Sequence, residues 1–277
     1  SVVASNATDK MEDFLSSINS VKSYLTTEMK RGLDGAENGS LVGDITARQI
    51  LKEMRSITTQ EIKGYGPSPY YLANLGVSTQ RDGTLTLDTK KFEKAIADDP
   101  NLINIVFSSK FTSTSDKLAG TGSELYPPTP GSYDFEFTQS TGLGVLNSQS
   151  LTALTNGAGN KSYTGTAGGT KNMYVEVLND SADVSGTIRY GRSLVDSLQA
   201  YIKDVTSSSG LIKSSTTNLN EKIAVYETDQ TKLDEKIEAL TSNYNEQFGS
   251  MESLVTQLNK TGEYLESMMD AWNNSKN

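Results

Sequence analysis

The sequence predicts an α+β fold: a long antiparallel helical coiled-coil stalk with a small mixed segment and a β-rich head insertion. Three patterns predict it: a heptad repeat of apolar residues near the C-terminus, a similar stripe near the N-terminus, and glycine-rich alternation between them. We expect residues 1–118 to hold the N-terminal stalk helix plus a small α/β segment. Residues 119–190 are then the head insertion, and residues 191–277 are the C-terminal coiled-coil stalk.

The C-terminal repeat keeps an average spacing of about 3.5 residues from Leu219 to Trp272. A heptad pattern sustained for this long predicts a left-handed coiled coil, about 80 Å in length if it is unbroken. Only Gln230, Gln247 and Thr261 interrupt the repeat, and the two glutamines either fix the register or mark a locally wet seam. The predicted seam comprises Leu219, Ile223, Tyr226, Leu233, Ile237, Leu240, Tyr244, Met251, Leu254 and Leu258.

Small residues predict where the helical rod is interrupted. The run Ser207-Ser208-Ser209-Gly210 predicts a clear break upstream of the seam, because serine and glycine favour caps and turns over helix interiors. Gly249 and Gly262 predict weaker breaks, since one glycine inside a helix costs only about 1 kcal/mol relative to alanine.

A narrow apolar stripe near the N-terminus has the same alternating spacing of three and four residues. We therefore expect it to be the partner face for the C-terminal rod. Pairing the two ends of the chain would place everything between them at one end of the stalk. The predicted partner face comprises Met11, Phe14, Ile18, Val21 and Leu25.

The middle of the chain carries two kinds of local signal. Arg81-Asp82-Gly83 predicts a turn between short strands, and Asp88 predicts the N-cap of the helix that follows. Further on, Tyr133, Phe135 and Phe137 alternate with polar residues, which predicts half-buried antiparallel strands. We therefore expect residues 120–190 to be a folded β-rich region and not a linker.

The composition argues against an enzyme. The 277 residues include no cysteine and no histidine, so thiol chemistry, zinc ribbons and imidazole bases are excluded. We expect no enzymatic activity, no catalytic residue, no metal ligand and no cofactor. A net charge of −9, from 25 basic and 34 acidic residues, argues against nucleic-acid binding.

We also expect no membrane insertion, because no stretch approaches the roughly 20 apolar residues that span a bilayer. The first residues, Ser1 to Asn6, have neither the basic region nor the apolar run of a cleaved signal peptide. They also lack a starting methionine, so we expect a fragment or a processed chain.

Four segments, taken in order, resemble one known family. Asn243-Tyr244-Asn245-Glu246-Gln247-Phe248 followed by Met251, and the block from Gly76 to Asp88, are similar to the flagellar filament cap protein family, hook-associated protein 2. Residues 14–19 and 41–50 fit the same family. The resemblance implies that the chain lacks the family's N-terminal part. The residues that carry the signature are Gly76, Asp82, Gly83, Leu85, Asp88, Tyr244, Gln247, Phe248 and Met251.

The resemblance implies a structural cap at the tip of the bacterial flagellar filament, which promotes flagellin insertion and polymerisation and prevents leakage of monomers. It implies four kinds of partner: further copies in a ring homo-oligomer, flagellin, hook–filament junction proteins and an export chaperone. It also implies an extracellular location at the filament tip and export without a cleaved signal peptide. Two alternatives stay open: a surface adhesin that binds host ligands through the β-rich head, and a coiled coil from a related secretion system.

Overall fold

The computed structural model describes residues 2–151, 153–155 and 160–274, and the fold is of the α+β class as predicted. The chain divides into two compact units, Ser1–Ile212 and Lys213–Asn277. The first unit contains two separate hydrophobic cores, one built mainly by helices and one built by strands. The second unit consists of most of one long helix.

Five α-helices, a short 3-10 helix (Leu72–Leu75) and one hairpin build the first core. Helix α1 packs against α2, α3 and strand β2, while α5 packs against α2 and α4. Met11 and Phe92 are fully buried in this core, and Leu194 and Leu198 bring the start of α5 into it. These elements are α1 (Val2–Glu28), α2 (Ile45–Thr59), β1 (Val77–Thr79), β2 (Leu85–Leu87), α3 (Thr89–Asp98), α4 (Ile103–Phe107) and α5 (Leu194–Thr206).

The stripe on α1 therefore has a different role from the one expected. Met11 and Ile18 are buried in the first core, and the ring of Phe14 packs edge-on against Phe107 with ring centroids 5.8 Å apart. For these three side chains the partner-face expectation is corrected, because packing inside the first unit already covers them. Val21 is exposed and Leu25 is half-buried, so for these two residues the partner face stays a prediction.

Two antiparallel sheets build the second core. Their strands are β3 (Lys110–Ser113), β4 (Leu118–Gly122), β5 (Gly131–Thr138), β6 (Leu143–Leu146), β7 (Gln149–Leu151), β8 (Ala153–Thr155), β9 (Lys161–Thr164), β10 (Met173–Val177) and β11 (Val184–Gly191). One sheet has the strand order β4-β10-β9-β8, and the other has the order β3-β11-β5-β6-β7. The earliest of these strands, β3, begins at Lys110, whereas the predicted head insertion begins at residue 119.

The alternation read from the sequence is the pattern that fills this core. Tyr133, Phe135 and Phe137 point inward from β5, while the residues between them are exposed. Tyr163 is fully buried, and its ring centroid lies 5.4 Å from that of Phe135. Gly144 leaves room for this ring, since a β-carbon there would lie only 2.6 Å from it. The core therefore depends on aromatic side chains from both sheets.

Two chain segments join the β-rich region to the helical core, and hydrogen bonds hold them together. The Ser109 hydroxyl donates to the Asp196 carboxylate and accepts the backbone N–H of Ser193 at 2.8 Å. The Ser193 hydroxyl in turn caps α5 by accepting the backbone N–H of Asp196 at 3.0 Å. The Tyr65 hydroxyl donates to the Ser108 carbonyl at 2.9 Å. The junction is therefore held by directed polar contacts between loop, strand and helix.

Replacing Ser109 by alanine should destabilise this junction. Burial raises the pKa of Asp196, but hydrogen bonds from Ser109 and Ser193 outweigh it, so the folded pKa lies below its usual range. A lowered folded pKa gives stability that is present above the unfolded value of about 4 and is lost as pH falls through the folded value. We expect Ser109→Ala to lower the free energy of unfolding by about 1–2 kcal/mol at pH 7, and by less at pH 2.5.

Urea unfolding at the two pH values measures this difference, with Ser185→Ala as the control because Ser185 is an exposed residue on β11. Equal losses in the two variants, or a loss that does not change with pH, would contradict the assigned contact.

Candidate functional site

The long helix α6 (Leu211–Asn274) carries the predicted seam, and at 64 residues it is about 96 Å long. The break predicted at Ser207 to Gly210 is confirmed, since α5 ends at Thr206 and α6 begins after it. The weaker breaks predicted at Gly249 and Gly262 are wrong, because α6 continues through both positions. A glycine penalty of about 1 kcal/mol is small against the hydrogen bonds of a helix of this length.

The apolar stripe of α6 is open to solvent. Every described residue from Thr216 to Trp272 is exposed, and the seam residues from Leu219 to Leu258 are each more than half exposed. A helix of this kind gains most of its stability by packing its apolar stripe against a partner. Contiguous exposed apolar surface on a soluble protein marks an interaction site. The stripe is therefore the candidate functional surface of this unit.

The polar side chains that interrupt the seam have different surroundings. The Thr261 hydroxyl donates to the Gln257 carbonyl of its own helix at 2.9 Å, so it can lie in a helix interface without a partner from another helix. Gln247 lines a shallow groove of about 440 Å³ together with Met251 and Leu254. Two of the family-signature residues therefore lie in one surface depression of α6.

The family-signature residues from Gly76 to Asp88 form the β1–β2 hairpin and its connections. Gly76 and Gly83 have φ values of +76° and +87°, a backbone conformation that favours glycine. The Asp82 carboxylate accepts the Thr84 N–H at 2.9 Å within the turn, and Asp88 caps α3. Leu85 is buried in the first core. These residues build a turn and a cap, so their role in the structure is to shape the hairpin.

Two polar residues of α1, which the sequence analysis missed, hold this hairpin. The Asn19 amide donates to the Leu85 carbonyl and accepts the Leu85 N–H, both at 2.8 Å. One turn further along, the Lys22 ammonium donates to the Gly83 carbonyl at 3.1 Å. Burial, with a smaller contribution from the positive charge of Arg55, lowers the pKa of Lys22. Asn19 lies in the segment 14–19 that fits the family, but neither that resemblance nor the apolar spacing identifies the partners of Asn19 and Lys22.

The described residues offer little for chemistry. Within 2–151, 153–155 and 160–274, no three histidine, cysteine, aspartate or glutamate residues come together as a metal site. Over the same residues, none of the helices combines the length and the hydrophobicity that a membrane span requires. The carboxylates of α6 lie on its exposed faces, where Lys232 pairs with Asp229 at 3.4 Å. The arrangement can bind through shape and apolar surface.

Comparison with known proteins agrees with the signature residues. Residues 5–260 match the family model described as "Flagellar hook-associated protein 2 C-terminus", so the chain belongs to this family of flagellar proteins. No solved structure gives a significant match.

Two curated relatives are similar to part of the chain. The A-type flagellar hook-associated protein 2 of Pseudomonas aeruginosa is 36% identical over 104 residues, which is 36% of this chain and 21% of that protein. The B-type flagellar hook-associated protein 2 of Pseudomonas aeruginosa PAO1 is 35% identical over 97 residues, or 33% of this chain and 20% of that protein. The matched part of the chain thus spans about a fifth of each relative's length.

Removing the Asn19 amide should loosen the hairpin. Asn19→Ala leaves the Leu85 N–H and carbonyl without their side-chain partner, so we expect a loss of about 1–3 kcal/mol in the free energy of unfolding. Amide exchange of Leu85 should accelerate more than the global loss explains. Ser20→Ala on the exposed side of α1 is the control, and hydrogen exchange with thermal unfolding measures both effects. An unchanged Leu85 exchange rate in Asn19→Ala would show that the contact does not hold the strand.

Proposed function

We propose that the chain is part of a structural cap at the tip of the bacterial flagellar filament. In this role it promotes flagellin insertion and polymerisation and prevents monomers from leaking away. The observation that carries the proposal is the exposed apolar stripe of α6, found in a chain of the flagellar hook-associated protein 2 family. A protein that inserts subunits needs surfaces for temporary contacts, and an uncovered helix face supplies one.

The proposed partners follow from this role. They are further copies of the same protein in a ring, flagellin, the hook–filament junction proteins and an export chaperone. The proposed location is extracellular, at the filament tip, after export without a cleaved signal peptide. The function requires no cofactor and no catalysis, because polymerisation is driven by contacts between subunits. The comparisons lend no support to the adhesin alternative.

We infer that the predicted seam, Leu219 to Leu258, packs against another helix when the cap is assembled. In cells that lack their own copy, a full-length protein with Leu233→Ser and Leu240→Ser should give short filaments and more flagellin in the medium. Both substitutions put polar groups into the seam. The matched control replaces Glu235 and Glu238, which lie on other faces of the same helix turns, by serine. Electron microscopy measures filament length, and immunoblotting measures flagellin in the medium.

Normal filaments in the seam variant would overturn the assignment of this surface to capping. Light scattering of the 277-residue chain across a concentration series tests whether the ring contacts lie within this chain. A closed oligomer would place ring contacts within this chain, whereas a monomer would assign them to the rest of the full-length protein.

We further propose that imperfections of the seam let α6 yield as flagellin enters. Gln230, Gln247 and Thr261 interrupt the apolar repeat, and polar groups at such positions lower coiled-coil stability. Replacing all three by leucine should raise the melting temperature of the helical signal and slow filament growth. Circular dichroism and a motility assay measure the two effects. A stiffer variant with normal motility would refute the mechanism and leave the capping role intact.

A further inference from the structure

The residues that flank the seam of α6 change character along the helix. In the first half, from Leu219 to Tyr244, the flanking positions carry charged residues such as Lys222, Glu227 and Lys236. In the second half, the positions directly after Gln247, Leu254, Thr261 and Met268 are apolar or glycine. These second-half residues are Phe248, Val255, Gly262 and Met269.

The seam residues form two rows along the helix, one for each of the two apolar heptad positions. In the second half, the added residues form a third row beside them. Phe248, Val255 and Met269 are 63%, 50% and 67% exposed, so the third row is as open to solvent as the seam itself. Tyr264 adds a further exposed aromatic ring on the opposite flank, at 65%. We name the face formed by residues 248–272 the distal face.

The two widths suit two kinds of packing. A stripe of two rows with charged flanks packs against one helix, and the flanking charges select its register. A stripe of three rows packs against two helices at once, as in the core of a helical bundle. The first half of α6 therefore fits one fixed partner helix, whereas the distal face has room for a second helix beside that partner.

The side chains of the distal face favour a partner that can change. Met251, Met268 and Met269 lie on it, and methionine adapts its shape to different surfaces. The row that borders the stripe beside Phe248, Val255 and Met269 carries only two charged residues, Glu252 and Glu266. A repeated, temporary contact needs these properties more than a permanent one does.

The area of the distal face is sufficient for a specific contact. Phe248, Tyr264 and Trp272 are each about two-thirds exposed, and together they can bury roughly 300–500 Å². With the seven leucine, valine and methionine side chains beside them, each at least half exposed, the face offers on the order of 800 Å². A standard protein interface needs about 800 Å² from each partner.

Charge decides between a second copy and a different polypeptide. Between residues 248 and 272, one lysine stands against four carboxylates, which gives a net charge of −3. Two copies packed side by side would bring these carboxylates together, and like charges repel. A helix whose polar side is basic would instead be attracted to this face.

We propose that the distal face binds an amphipathic helix of a different polypeptide, one whose apolar stripe is flanked by basic residues. The contact is heterologous and reversible, and it occurs beside the helix that pairs with the first half of α6. The inference deepens the proposed function, because it assigns the temporary contact of a cap subunit to a defined segment.

The test uses the 277-residue chain and a synthetic 25-residue helical peptide with a leucine stripe and lysine flanks. We expect the double variant Val255→Ser, Met269→Ser to bind this peptide about tenfold more weakly than the unchanged chain, because both side chains belong to the third row. The matched control is Asp234→Ser, Thr241→Ser, which alters the same heptad position in the first half and should change binding less than about twofold. Fluorescence anisotropy measures affinity, and circular dichroism checks that helix content is equal.

Three results would overturn the proposal. The first is absence of peptide binding by the unchanged chain, and the second is equal binding by both double variants. The third is a concentration-dependent dimer in sedimentation that only Val255→Ser, Met269→Ser abolishes, which would assign the face to a second copy. A matched peptide with glutamate flanks should bind more weakly than the lysine peptide at low salt. Normal filaments in the seam variant would refute the capping role but would not change the peptide result, so the two proposals can be refuted separately.

Discussion

The apolar stripe of α6 has to be covered by something, and this requirement governs the rest of the functional interpretation. A helix of 64 residues gains little from its own hydrogen bonds in water unless packing removes its apolar side from solvent. Its described residues beyond Thr216 are exposed throughout, and the partner helix proposed above would supply the stabilising contact. A surface that is incomplete by itself suits the proposed capping role, because binding a partner then also stabilises the helix.

The first unit satisfies its own requirements in a contrasting way. Its two cores bury their aromatic and aliphatic side chains fully, as at Phe92 and Phe135. Polar groups then fix how the parts meet: Ser109 and Asp196 join the strands to α5, while Asn19 joins α1 to the hairpin. Apolar contacts are non-directional, whereas hydrogen bonds join defined atoms within a narrow range of distance and angle. This unit therefore keeps a single arrangement.

Periodicity explains why some features could be predicted from the sequence and others could not. The alternation at Tyr133, Phe135 and Phe137 reports which side of a strand is apolar, and it was predicted correctly. The heptads predicted a long helix, which is confirmed in α6, while the seam itself stays a prediction. The stripe of α1 was also found, but periodicity does not say what covers a face, so Met11 and Ile18 were assigned to the wrong neighbour. Asn19 and Ser109 escaped prediction because their value lies in partners distant along the chain, which no local pattern encodes.

The two hydrogen bonds between Asn19 and Leu85 also affect the edge of the hairpin. Among the residues that the structure describes, strand β2 pairs with β1 alone, so its other side is the free edge of a two-stranded sheet. Free edges can recruit a strand from a neighbouring molecule and start aggregation. By occupying the Leu85 backbone with a side-chain amide, the chain blocks that edge without adding a strand.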